Sequence, residues 1–262
     1  MRRRVRRSAL LLVQAVLLAG PTALAFASGG YFTGGRLVAC VVAFVVLAAA
    51  LALVPARHAG LDSGPARAAI GGLALFAAWT ALSASWSPLG GPAVDARERA
   101  LLYLAALWAA ALAFRPRAAA ATVEPALAAG AFVVIGYGLL GHTDVLDLRE
   151  TVSAGGRLEQ PLTYWNAEGA LAALGMVLTM RLAGTRSRAP ALRLAAAAAS
   201  PLLGAGVYLT FSRGSLSALA VGISVLLALA PTWAQLRSLA IAVETAAWTS
   251  SPSTSWPTRS RT

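Results

Sequence analysis

One arginine, Arg213, stands between two long apolar runs, Leu194 to Leu209 before it and Leu216 to Ala230 after it. A charge at the centre of a membrane-spanning helix costs about 2.5 to 3.5 kcal/mol on insertion scales. Arg213 is therefore expected at a helix end, facing water, a partner or an anionic ligand. Upstream, the segment Gly156 to Gly169 supplies a second arginine, Arg157, and an amide donor, Asn166. A guanidinium pairs bidentately with phosphate and does not lose its charge. Ser212 and Gly214 flank Arg213 and are expected to let the backbone turn tightly and approach a ligand. Polar groups of these types converging at one membrane face could form a site for an anionic headgroup.

The elements that position these residues follow from composition. The chain has 262 residues, of which 58% are hydrophobic and 12% charged, with a mean hydropathy of +0.69. A soluble domain is nearer half apolar and about a quarter charged. Several apolar runs approach the roughly 20 residues that span a bilayer as a helix. They are continuous and rich in Ala and Leu, without the alternation of a membrane β-barrel. The sequence predicts an all-α polytopic membrane protein with about eight transmembrane helices and both ends cytoplasmic. The expected spans are about Ala9–Ala27, Leu37–Val54, Ala68–Ser85, Ala100–Phe114, a fifth from after Arg117 to Leu140, Leu162–Leu182, Leu194–Leu209 and Leu216–Ala230. The first follows a run of five arginines within the first seven residues and reads as an uncleaved signal-anchor, with a cleaved signal peptide as the alternative.

The net charge is +12 and every basic residue is arginine. The arginines fall between the apolar runs, which fits membrane topology better than nucleic-acid binding. With the amino terminus inside, fourteen arginines fall in inner segments and six in outer ones, as the positive-inside rule requires. The outer six are Arg36, Arg97, Arg99, Arg149, Arg157 and Arg213. The loop after the fifth span carries Asp144, Asp147, Glu150 and Glu159 and is acidic and outside. Tyr31, Trp86, Tyr164 and Trp165 fall at the outer interface, where amphipathic rings prefer to sit. The single cysteine, Cys40, cannot form a disulfide or a cysteine metal site within one chain. Residues 1–244 read as one transmembrane domain. Residues 245–262 are rich in Ser, Thr and Pro and read as a disordered tail.

Three segments together resemble the O-antigen ligase and O-antigen polymerase family of bacterial lipid-linked glycan transferases. They are Leu209 to Gly222 with its Ser-Arg-Gly turn, Gly156 to Gly169 with Arg followed by Asn and Gly, and Ala84-Ser-Trp-Ser-Pro88. The resemblance implies a protein of the bacterial cytoplasmic membrane that takes a glycan from an undecaprenyl-pyrophosphate-type donor at the outer face. It implies no metal or nucleotide cofactor, and no nucleic acid among the partners, which would be the lipid-linked glycan and membrane lipid. By position, Arg157 and Arg213 match the family's pyrophosphate-holding arginines, with Asn166, Ser212 and Gly214 beside them. The histidine expected as base in a later outer loop is missing. No catalytic residue is therefore assigned, and the chain reads as truncated at its carboxyl end, so that transfer could be lost while donor binding remains.

Plainer roles stand beside these. Arg213 could only snorkel at the interface. Arg157 could pair with Glu159 or Asp147. Asn166 could cap the sixth span, and Glu168 suits the positive end of that helix. Glu124 could be a proton relay in a secondary transporter, or mark the inner end of span five beside Pro125. His142 reads as an exposed loop residue. A non-catalytic membrane protein is the remaining alternative.

Overall fold

All eight expected apolar runs become α-helices in a computed structural model of the chain. It describes residues 2–54, 63–143, 145, 146, 148, 155–229 and the single positions 233, 235, 237, 240, 241 and 244. The helices are α1 (Arg2–Ala25), α2 (Thr33–Leu53), α3 (Gly64–Ser83), α4 (Gly90–Ala113), α5 (Arg117–His142), α6 (Trp165–Gly184), α7 (Pro190–Leu209) and α8 (Arg213–Leu229). Among the described residues there is no strand. Six helices (α1, α2, α3, α5, α6 and α7) are long and apolar enough to cross a membrane. The protein is an all-α polytopic membrane protein. Arg57, His58, Asp144, Asp147, Arg149, Glu150, the tail 245–262 and most of the apolar stretch 234–243 lie outside the described residues.

The helix ends differ from the apolar runs for local reasons. α4 starts at Gly90, ten residues before the apolar run at Ala100, and its first turns carry Asp95, Arg97, Glu98 and Arg99. α7 starts at Pro190, which is suited to a first helical turn because it has no N–H to leave unpaired. α6 starts at Trp165, after Thr163 at φ +59°, a left-handed backbone that a helix cannot include.

The chain divides into two compact units, Met1–Val123 and Glu124–Thr262. In the first, α4 packs against α1, α2 and α3. Its core is Val13 of α1, Ala43, Val46, Leu47 and Ala50 of α2, and Ala105, Ala109, Leu112 and Ala113 of α4. Small residues let the backbones approach closely, which matters where lipid is as apolar as the helix faces. Side chains close the open carbonyl ends of two helices. Arg6 Nε donates to Leu53 O at 2.7 Å and Gln14 Nε2 to Ala113 O at 2.7 Å.

The second unit is organised around α6, which packs on α7 and α8. Its core joins Ala131 and Ile135 of α5, Ala172, Met176 and Met180 of α6, Leu203 and Val207 of α7, and Leu226 of α8. About 61% of the apolar window of α6 is buried, against 17% for α3. α6 is thus enclosed by its neighbours, whereas α3 turns Leu75, Phe76, Trp79 and Leu82 outward, as a lipid-facing helix does.

Candidate functional site

The amino-terminal end of α6 gathers the residues singled out from sequence. Two contacts draw the chain together there. The segment before α6 meets the end of α7 where Leu158 N donates to Leu209 O at 3.0 Å. The start of α8 meets the first turn of α6, where the Ser215 hydroxyl lies 3.4 Å from the Asn166 carbonyl. Gly169 makes the second contact possible. A Cβ at this position would lie 2.5 Å from Ser215 Oγ and 2.6 Å from Thr210 Oγ1, closer than real side chains pack.

Ser212 is the N-cap of α8. Its Oγ accepts from Ser215 N at 3.2 Å and lies 2.9 Å from Ser215 Oγ. This satisfies one of the donors a helix start leaves open. Arg213 is the first residue of α8 and is exposed. Its guanidinium has no hydrogen bond or ion pair to another described residue. The bond between α7 and α8 turns at Phe211, whose φ is +48°. Gly214 is helical and exposed, and a Cβ there would meet only Ser212 Oγ at 3.9 Å. This corrects the expected role of Gly214, because the turn is made one step before Ser212 and needs no glycine at 214.

Arg157 lies with its Cζ 5.0 Å from the centroid of the Trp165 ring, a cation–π stack. It therefore reaches the first residue of α6. Asn166 is the second residue of α6, not its cap. Its side chain donates to Tyr164 Oη at 2.7 Å, and no side chain caps this helix. A narrow cleft beside the stack is lined by Arg157, Glu159, Gln160, Leu148 and, from the last turn of α5, His142. Sequence order separates His142 from Arg157 by fifteen positions and treats it as a loop residue. Gly138 brings α5 close enough to the loop that a Cβ there would overlap Gln160 O.

The structure also places two residues that sequence reading underrates. Glu168, in the first turn of α6, is fully buried, and neither carboxyl oxygen has a hydrogen-bond partner. Glu124, the carboxylate on which a transporter reading rests, pairs with Arg181 and, at 3.3 Å, with Arg188. Held between two guanidinium groups, it acts as an ion-pair staple for the opposite ends of α5 and α6. No group of His, Cys, Asp and Glu among the described residues could hold a metal.

The arrangement can do one thing chemically without further parts. It offers one stacked guanidinium, one open guanidinium and the positive ends of α6 and α8, all tied to a single knot of backbone. Helix starts favour negative charge. Compared with protein-family models, curated proteins and solved structures, the chain matches none.

Proposed function

We propose that the chain is an O-antigen ligase-like membrane protein of the bacterial cytoplasmic membrane. It binds a polyprenyl-pyrophosphate-linked glycan at the outer face and serves its transfer to an acceptor. One observation carries this reading: Arg157 on Trp165 and the open Arg213 at the start of α8 are fixed to the same end of α6. The two arginines would hold the two phosphates, and the amide ends of α6 and α8 would share their charge. In transfer, an acceptor hydroxyl attacks the anomeric carbon and the bond to the pyrophosphate oxygen breaks. The leaving oxygen gains negative charge, which a preorganised guanidinium stabilises more in the transition state than in the bound donor. The hydroxyl proton needs an acceptor, and His142 is the imidazole that shares the cleft with Arg157.

The test is donor binding by the full chain in lipid vesicles, using a polyprenyl-pyrophosphate-linked glycan. Hydrogen bonds to charged groups are worth about 1.5 to 3 kcal/mol each. Arg213→Ala and Arg157→Ala should each weaken binding by about tenfold to a hundredfold while the protein remains inserted. Undiminished binding by both variants rules the reading out.

A further inference from the structure

Four arginines gather at the far end of α6, away from Arg157 and Arg213. Arg181 is in the last turn of α6, Arg186 and Arg188 are in the connection 185–189, and Arg193 is the fourth residue of α7. Packing beneath them sets where their backbones lie. Ala128 of α5, Leu182 and Ala183 of α6 and Ala196 of α7 form one buried core, with Leu192 packed against it. Glu124 stands about one helical turn before Ala128, Arg181 directly precedes Leu182, and Arg193 directly follows Leu192. The charged side chains therefore rim a packed platform of three helices.

The guanidinium groups have unequal uses. Arg181 and Arg188 pair with Glu124. Arg193 Nε donates to Ala183 O at 3.2 Å, closing a carbonyl that the end of α6 leaves open. Arg186 is exposed, and its guanidinium has no hydrogen bond or ion pair to another described residue. Arg181 remains 56% exposed despite its ion pair. With four guanidinium groups around one paired carboxylate, positive charge is in excess, and two of its carriers face outward.

The surface beside this charge is apolar. Leu194, next to Arg193, is 73% exposed on a helix long and apolar enough to cross a membrane. A guanidinium at the end of such a span meets lipid headgroups, and clustered arginines there favour anionic ones. Free phosphate would engage the charge and leave the apolar surface unused. A zwitterionic lipid would engage the apolar surface, but its own cation offsets its phosphate.

We propose that this end of the second unit is a binding site for an anionic phospholipid. Its phosphate is held by Arg186 and Arg181, and its acyl chains follow the apolar surface of α7 at Leu194. Glu124 fixes Arg181 and Arg188 over the platform. The site is separate from the anion-binding end of α6 and does not depend on what that end binds.

The experiment places the full chain in phosphatidylcholine vesicles with a trace of photoreactive phosphatidylglycerol and maps the adduct by mass spectrometry. The adduct should fall within residues 181–194. Unlabelled phosphatidylglycerol should displace it, whereas extra phosphatidylcholine or inorganic phosphate at equal concentration should not. Arg186→Gln removes a charge that no described residue uses, so the fold should survive and affinity for the probe should drop about fivefold. Arg186→Lys should restore most of it. Arg7→Gln, at an exposed arginine of α1 in the other unit, should leave the adduct unchanged. No adduct within 181–194, or displacement by phosphatidylcholine or by inorganic phosphate, overturns the proposal. So does unchanged labelling of Arg186→Gln. An equal loss in Arg7→Gln would mean diffuse attraction to a basic protein, and the site would be rejected.

Discussion

Among the described residues the first unit buries one charged side chain, Arg36, and the second buries two, Glu159 and Glu168; Arg36 and Glu168 are treated in opposite ways. In the first unit Arg36 is 1% exposed. Its guanidinium is engaged at all three nitrogens: Nε to Glu98 at 2.7 Å, Nη1 to Tyr31 O at 2.8 Å, Nη2 to Asp95 and, at 3.5 Å, to Thr33. In the second unit Glu168 is as deeply buried and neither carboxyl oxygen meets a hydrogen-bond partner. Arg36 binds the start of α2 to the start of α4, so its charge has a structural use. Glu168 ties nothing to anything. A buried charge bonded at each of its nitrogens is explained by the fold, while a buried carboxyl with no hydrogen bond to either oxygen is not.

The comparison breaks or sharpens most under substitution of both residues by methionine, which is long and apolar. Arg36→Met strands two carboxylates and the Tyr31 carbonyl. Removing one partner of a buried pair costs about 3 to 5 kcal/mol. Here Asp95 and Glu98 are 39% and 19% exposed, so water recovers part of the loss and about 2 kcal/mol is expected. Glu168→Met removes an unsatisfied group and should leave stability unchanged or raise it. Thermal unfolding of both variants in the same detergent checks this. A large loss for Glu168→Met would mean that its carboxyl has a structural partner after all, and the contrast between the units would disappear.

Gly169→Ala is the next largest expected effect. The added methyl must displace Ser215 or Thr210, and overpacking of this kind costs about 1 to 3 kcal/mol. Because the displaced residues carry the start of α8, donor binding should fall together with stability. Loss of stability with full donor binding would separate the α8 start from the anion-binding end.

How much of this was legible beforehand differs between the units for a physical reason. All eight helices follow from apolar runs, because a chain in lipid must satisfy its backbone internally and the helix does so within one segment. The start of α4 was not legible. Asp95, Arg97, Glu98 and Arg99 interrupt the apolar run, and hydropathy counts each charge as a penalty without seeing that Arg36 neutralises Asp95 and Glu98 across the helix pair. Arg99 lies over the Tyr31 ring in the same way, 5.9 Å from its centroid. Arg36 itself was read as one more outer-loop arginine. Arg157, Asn166 and Arg213 could be expected at one end of the molecule from topology alone. Their actual partners could not, since the Trp165 stack and the Ser215–Asn166 contact depend on side-chain directions. Glu168 looked like an ordinary first-turn acid, and its full burial is not announced by the local sequence.

Gly214 gives the smallest expected effect and the finest test of the α8 start. Sequence reading asks it to make a tight turn, but the turn is made at Phe211 and Gly214 is an exposed helical residue with room for a methyl group. Alanine at such a position lowers the entropy of the unfolded chain and suits the helix, a gain of a few tenths to about 1 kcal/mol. Gly214→Ala should therefore unfold slightly later than wild type and bind donor equally well. Reduced donor binding at undiminished stability would show that the ligand approaches the backbone of α8 itself. The glycine would then serve contact with the ligand rather than the fold, and the anion-binding end would extend past the Arg213 side chain onto the first amides of the helix.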